Sequence, residues 1–274
     1  MEQGRRGIKV SDDDLIRLFG LPLRNETLER ANERIFELAK APRGTLPPTK
    51  IFFVNAHCVN VASRDREYVR ILHDADILYA DGAGLAIAAK WAGRRFCDNV
   101  NGTDLFPILC AKAARDRIPM ALLGGEHGVA ELCAQKMTER CGPIKFTFIR
   151  QGYVQPYEEA RVVGDVRRSG AAILLVAMGV PRQEKWIHRW SGELGAQVQI
   201  GVGGLFDFYS GRRRRAPSLF RKIGLEWTIR LAQEPGRLAK RYLLGNPEFL
   251  LRALRLRSRG IEVLTAGDGP FRPD

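Results

Sequence analysis

From about residue 50 onward, short apolar runs alternate with longer amphipathic stretches. The runs Ile51–Val54, Ile77–Tyr79, Met120–Leu123, Ile144–Ile149, Ala172–Ala177 and Val198–Val202 are aliphatic and aromatic and read as strands. Segments 56–72, 83–92, 103–116, 127–140, 157–168 and 181–191 read as helices between them. Strands that are apolar at every position are covered on both faces, which predicts an α/β fold: a Rossmann-like parallel sheet flanked by helices. Upstream, Asp12–Phe19 and Glu26–Ala39 also read as helices. The second carries Leu28, Ala31, Ile35, Leu38 and Ala39 at helical spacing, before Pro42, Gly44, Pro47 and Pro48 break the chain.

Beyond residue 211 the pattern changes. Leu219, Ile223, Trp227 and Leu231, then Leu243, Phe249, Leu250 and Leu254, fall at near-helical spacing, with Pro235, Gly245 and Pro247 dividing short helices. Four parts follow: an N-terminal helical segment (1–48) packed on the core, a Rossmann-like core (49–211), a basic helical appendage (212–259) and a flexible tail (260–274). Charge sharpens that division. The chain of 274 residues carries +13, yet 212–259 alone holds 14 Lys/Arg against Glu226, Glu234 and Glu248. A +11 segment on a near-neutral body points to an anionic partner: a phosphorylated substrate, an acidic membrane surface or nucleic acid. The longest apolar run, Ala171 to Val180, is half a membrane span, so membrane contact is expected to be peripheral. The polar opening MEQGRR predicts no signal peptide. Five cysteines (Cys58, Cys97, Cys110, Cys133, Cys141) without C-x-x-C spacing read as buried thiols in a reducing cytosol rather than a disulfide framework.

Ligands of such sheets sit at the carboxyl ends of the strands. There the sequence puts Asn55, Asp81-Gly82, Gly124-Gly125, Gly179-Val180-Pro181 and Gly201-Val202-Gly203-Gly204. Gly124 and Gly125 before a helix suit either a diphosphate or a tight turn. The spacing is not G-x-G-x-x-G, and no acid follows about 20 residues on, which argues against a nicotinamide-dependent oxidoreductase. Asp81 suits a general base or a helix cap. Asn55 suits a cap, and Arg182-Gln183 suits sugar or uracil recognition or first-turn capping. His57-Cys58 reads as a packed pair, because neighbours on a helix point in different directions. Asp74-Ala75-Asp76 and Asp12-Asp13-Asp14 spell D-x-D away from any strand's ligand end and read as solvated or capping, and no cluster has zinc spacing.

The ordered set of motifs resembles the bacterial WecG/TagA/CpsF glycosyltransferases over roughly residues 50–255. The matching pieces are Asn55 with Asp65; Ala75-Asp76; Ala80-Asp81-Gly82; Gly102-Thr103-Asp104-Leu105; Leu123-Gly124-Gly125; Gly152-Tyr153; Gly179-x-Pro181-Arg182-Gln183-Glu184-Lys185-Trp186; Gly201-Val202-Gly203-Gly204-x-Phe206-Asp207; Arg215-Ala216-Pro217; Leu225-Glu226-Trp227; Arg230-Leu231; Glu234-Pro235; and Gly245-Asn246-Pro247. The resemblance implies an inverting hexosyltransferase in cell-surface polysaccharide synthesis. Its donor would be a UDP-sugar and its acceptor would be linked to polyprenyl diphosphate at the inner face of the cytoplasmic membrane. No cofactor, metal or nucleic acid is implied. Asp81 matches the general base. Asn55, Gly82, Asn101, Asp104, Gly124, Gly125, Gly179, Arg182, Gln183 and Gly203 would bind the donor. Arg215, Arg230, Arg237, Lys240 and Arg241 would hold diphosphate near the membrane. Phe53 stands where the family often has Thr, and Asn99 where it often has Arg, so the donor hexose need not be N-acetylmannosamine. A nucleic-acid-binding protein with an α/β core is the alternative that the charge alone leaves open.

Overall fold

The structure, a computed structural model, describes residues 15–42, 44, 46–217, 220 and 224–258. Eight strands form one sheet: β1 (Leu15–Leu18), β2 (Leu21–Arg24), β3 (Thr49–Val54), β4 (Ile77–Ala80), β5 (Met120–Gly124), β6 (Phe146–Arg150), β7 (Ile173–Ala177) and β8 (Val198–Gly201). Their order is β1-β2-β4-β3-β8-β7-β5-β6, with β1–β2 antiparallel and the other pairs parallel. The helices are α1 (Leu28–Ala39), α2 (Ala56–Ala62), α3 (Arg66–His73), α4 (Ala83–Trp91), α5 (Gly102–Asp116), α6 (Val129–Cys141), α7 (Glu159–Ser169), α8 (Arg182–Trp190) and α9 (Leu205–Tyr209). In the appendage follow α10 (Glu226–Gln233), α11 (Pro235–Ala239), a π turn over Lys240–Leu244, and α12 (Gly245–Ser258).

The sheet separates two apolar layers, and the pleat sorts each strand between them. Phe52 and Val54 of β3, with Leu174 and Val176 of β7, face one layer. Ile51 and Phe53, with Ile173, Leu175 and Ala177, face the other. Both sets are buried, which is why these strands read as unbroken apolar runs.

The structure corrects three expectations. Residues 15–24 form a β-hairpin, not a helix. Phe19 (φ 53) and Gly20 (φ 74) make two consecutive left-handed steps, the backbone of a tight hairpin turn. Ile16, Leu18, Leu21 and Leu23 then enter the core while Arg17 stays outside. The stretch 56–72 is two helices, because Asp65 Oδ1 accepts from the Tyr68 N–H at 3.0 Å and caps α3. Cys97 lies exposed in the loop between α4 and α5, whereas Cys58, Cys110 and Cys133 are buried and Cys141 half-buried. Asp12-Asp13-Asp14, Leu219, Ile223 and the segment 260–274 lie outside the described residues.

The hairpin and α1 also bring a buried ion pair under β4. Arg34 donates to Glu26 at 2.9 Å, and the Tyr79 hydroxyl donates to the same carboxylate at 2.5 Å. At the other end of the chain, α12 packs on α2 and α4. Phe249 is its anchor. It is 1% exposed, its ring lies 5.4 Å from that of Phe19, and it rests on Gly84, where a Cβ would meet it at 3.2 Å. The Asn60 amide donates to the Gly245 carbonyl at 2.7 Å, and Arg64 pairs with Glu248 at 2.6 Å.

Candidate active site

The carboxyl ends of β3, β4, β5, β7 and β8 converge on a cleft of about 310 Å³. From β5 the chain moves outward to β6, and from β7 inward to β8, so the loops diverge at a topological switch point.

Asp81 and Asn55 form one wall. The Asp81 N–H donates to the Val54 carbonyl at 2.8 Å, fixing the residue to β3. Asn55 caps α2, with Oδ1 accepting from the His57 and Cys58 N–H groups at 3.1 and 3.2 Å. Its Nδ2 donates to Asp81 Oδ2 at 3.4 Å. Asn55 is thus a cap and a pocket residue at once. Asp81 is not a cap: Gly82 occupies that position on α4, and no side chain bonds the helix start. The carboxylate is left for the cleft. Burial raises its pKa above the ordinary aspartate range, against the pull of the Asn55 amide and of Arg230 and Arg241. Beside it, burial and Arg241 push His57 down to about 4, so the imidazole is neutral at pH 7. Burial pushes the Cys58 thiol up to about 12, which makes it a poor nucleophile.

The opposite wall is built on close backbone approach. A Cβ at Gly124 (φ +154) would lie 2.4 Å from the Ala177 carbonyl oxygen. The Gly125 N–H donates to that same oxygen at 2.9 Å, and the Gly152 N–H donates to the Gly125 carbonyl at 2.8 Å. The Gly125 amide is therefore spent inside the fold, and the phosphate cradle suggested by Gly124-Gly125 is not open there. Glu126, which follows in the cleft, pairs with Arg212 at 2.7 Å. Gly125, Gly179, Arg182, Gln183 and Gly203 all line the cleft. Arg182 donates to the Val154 carbonyl at 3.0 Å. Gln183 is 3% exposed; its Oε1 accepts from the Gly203 N–H at 2.9 Å and its Nε2 donates to Glu184 at 2.9 Å.

Apart from Arg182, the positive charge of the cleft comes from the appendage. Arg230, Arg237 and Arg241 line the cleft together with Arg213. Arg230 lies 5.0 Å from the centre of the Phe208 ring. Glu234 pairs with both Arg213 and Arg237, and Asp207 lies 3.4 Å from Arg213. Of the remaining sequence candidates, Gly82, Asn101, Asp104, Gly124, Arg215 and Lys240 are not among the lining residues. Asn101 caps α5 and holds Asp104 at 2.7 Å; Asp104 in turn pairs with Arg215 at 2.7 Å, tying the start of the appendage to α5. Gly82 donates to Asn99 at 3.2 Å, and Lys240 is exposed.

Phe53, which departs from the family pattern, lines the cleft, and Tyr153, Phe208 and Arg213 are lining residues that the sequence did not single out for the site. Arg213 lies within Arg212–Arg215, where the motif Arg215-Ala216-Pro217 sets apart Arg215 alone. Asp74 and Asp76 sit at the entry to β4, where Asp74 pairs with Lys50 and Asp76 accepts from the Lys50 N–H at 2.8 Å. Among the described residues, no group of three His, Cys, Asp or Glu side chains is placed to hold a metal ion.

This geometry joins a desolvated carboxylate to a set of cleft arginines, the equipment of a group transfer with an anionic leaving group. The model of the glycosyl transferase WecG/TagA/CpsF family matches residues 16–262. A Bacillus subtilis (strain 168) protein named N-acetylglucosaminyldiphosphoundecaprenol N-acetyl-beta-D-mannosaminyltransferase is 30% identical over 202 residues, 74% of this chain and 77% of its own. The Bacillus spizizenii (strain ATCC 23059 / NRRL B-14472 / W23) protein of the same name is 31% identical over 195 residues, 71% of this chain and 74% of its own. The oxidoreductase and nucleic-acid-binding alternatives give way to this match: the chain belongs to the WecG/TagA/CpsF family and is a glycosyltransferase.

Proposed function

We propose that the protein transfers a hexose from a UDP-sugar to an acceptor linked to polyprenyl diphosphate, in a single displacement that inverts the anomeric carbon. The observation that carries this reading is Asp81, held by Asn55 in a cleft whose cations, apart from Arg182, come from the appendage. Asp81 takes the proton of the acceptor hydroxyl, the oxygen attacks the anomeric carbon, and the bond to the diphosphate breaks with its electrons leaving on UDP. Arg213, Arg230, Arg237 and Arg241 oppose the charge that grows on that diphosphate, and no metal is needed in this reading. Tyr153, 57% exposed at the lip, offers an aromatic face to the nucleobase. The relatives' name supports the diphosphoundecaprenol-linked acceptor and a hexosamine as donor sugar. Phe53 puts an aromatic ring into the cleft wall, stacked on Tyr79 at 5.9 Å, and makes the donor hexose this chain's own variable.

We place the reaction at the inner face of the cytoplasmic membrane. No helix among the described residues is long and apolar enough to cross a membrane. Leu243, Leu244, Leu250, Leu251 and Leu254 are exposed on the π turn and α12, beside Lys240 and Arg255. That combination suits a peripheral, anionic surface.

The test is UDP release from a panel of UDP-hexoses with a prenyl-diphosphate-linked sugar as acceptor. One donor is expected to turn over, and Asp81→Asn is expected to lower kcat by about 10²–10⁴-fold while UDP still binds. Equal turnover by the variant would remove Asp81 as the base. Absence of UDP binding by the native protein would overturn the donor assignment.

A further inference from the structure

Glu184 is a fully buried carboxylate that the mechanism above does not use. It is 0% exposed at the third position of α8. Oε1 accepts from Gln183 Nε2 at 2.9 Å, while Oε2 is buried without a hydrogen-bond partner among the described residues. The elements packed against it bring no cation among the groups that perturb it. Cys58 of α2 and Tyr68 of α3 both feel its charge, and both are themselves buried. A carboxyl group in such a place is costly unless it does something for its one partner.

That partner is Gln183, whose other end reaches the cleft. Its Oε1 accepts the Gly203 N–H at 2.9 Å, and its Nε2 lies 3.0 Å from where a Cβ of Gly201 would be. The amide is therefore clamped between α8 and the turn after β8. A primary amide can flip by 180°, exchanging its oxygen for its nitrogen. Flipped, Gln183 would point an N–H at the N–H of Gly203 and break the bond. Glu184 prevents this, since an acceptor at Oε1 requires the nitrogen on its side. The turn so fixed is not remote from the chemistry. Gly201, Val202, Gly203 and Gly204 line the cleft, and Arg230 reaches to within 3.5 Å of a Cβ built on Gly204.

We propose that Glu184 is a positioning residue: by fixing the orientation of the Gln183 amide it holds the Gly203 N–H, and with it the 201–204 wall against which the nucleotide-sugar binds. The ligand half of this statement rests on the function proposed above; the amide half does not.

The experiment therefore has two readouts on the folded full-length protein, with Glu184→Leu and Glu184→Gln compared. The first is hydrogen exchange at the Gly203 amide. Glu184→Leu removes the acceptor and is expected to speed exchange there about tenfold or more, leaving the amides of β7 unchanged. Glu184→Gln keeps an oxygen to accept from Gln183 and is expected to stay within about twofold of the native rate. The second is the affinity for UDP, expected to weaken about tenfold in Glu184→Leu and to recover in Glu184→Gln. Native exchange at Gly203 in Glu184→Leu would overturn the proposal, as would faster exchange with unchanged UDP affinity, which would make the residue structural only. Equal exchange defects in Leu and Gln variants would also overturn it. Should the native protein bind no UDP, the donor assignment fails, and the exchange data alone decide whether Glu184 sets the amide.

Discussion

Charge placed out of water decides how the site residues behave with pH. As the proposed base, Asp81 would have to be ionised to accept a proton, and burial raises its pKa above the ordinary value near 4 while Arg230 and Arg241 oppose the rise. The rate is expected to fall on acidification with a midpoint above that ordinary value. Arg241→Gln removes one opposing cation and is expected to move the midpoint further up, seen in the kcat–pH profile; a downward move would contradict the assignment. Glu184 gives a second, independent signature, in stability. Burial pushes its carboxyl up to about 7, well above the unfolded value. The unfolded chain therefore loses this proton first as pH rises. Its stabilising contribution is complete below the unfolded pKa and is lost through pH 7, a change of about 3 kcal/mol. Urea unfolding of the native protein is expected to show this loss between about pH 5 and pH 8. Glu184→Gln, which does not titrate, is expected to show a much smaller one. Parallel losses in both proteins would assign the effect to other groups.

The elements around the cleft give it one end and give the core one face, and Phe249 links the two. It anchors α12 on Gly84 and against Phe19, while Arg241, one π turn earlier, lines the cleft. Phe249→Ala removes about 3–5 kcal/mol of packing. Because that loss falls on the appendage's attachment, trypsin is expected to cut the segment 212–259 faster and kcat/KM to drop although Asp81 is untouched. Native proteolysis with native activity would show that the appendage is held by its other contacts. The same scale explains what the sequence could disclose. Strands β3, β4, β5, β7 and β8 were legible because both faces are buried, so their apolar runs need no partner to be recognised, whereas the edge strand β6 is half-buried throughout and its bounds shift from 144–149 to 146–150. The β1–β2 hairpin was not legible: each strand has four residues, too few for a period of two to stand apart from helical spacing, and the left-handed turn begins at Phe19, not a usual turn residue. Asn55, Asp81, Gly125, Gly179 and Gly203 can be placed at the cleft from the sequence because strand ends are ligand ends, whereas Gly82 and Gly124 do not line it. The uses of Gln183 and Gly125 were not legible. Their polar groups are consumed by Gly203 and Ala177, at the ends of other strands that no local pattern reveals, and by Glu184, the next residue along α8. Arg213 escaped among three identical neighbours, because only the fold turns it, and not Arg212, Arg214 or Arg215, into the cleft.

The first and last described elements meet across the molecule. The β1–β2 hairpin carries Phe19 to Phe249, so the first described strands and the last helix close over the same side of the sheet. This leaves the apolar side chains Leu243, Leu244 and Leu251 more than half exposed in the segment that also concentrates the positive charge. Two forces would then act on one surface. Each Lys or Arg close to an anionic bilayer contributes about 1 kcal/mol, and salt screens that part over about 8–10 Å. The leucines contribute a part that salt does not weaken. Co-sedimentation with vesicles should separate the terms. Binding is expected with anionic lipid, to fall by about tenfold or more between 50 and 500 mM salt, and to be slight with purely zwitterionic lipid. Leu244→Asp combined with Leu251→Asp is expected to weaken binding at every salt concentration while UDP binding stays native, because neither side chain lines the cleft. If the double variant matches the native protein on anionic vesicles, the leucines do not enter the bilayer and the attraction is electrostatic alone. If zwitterionic vesicles are bound equally well, the basic charge serves the substrate diphosphate rather than the membrane.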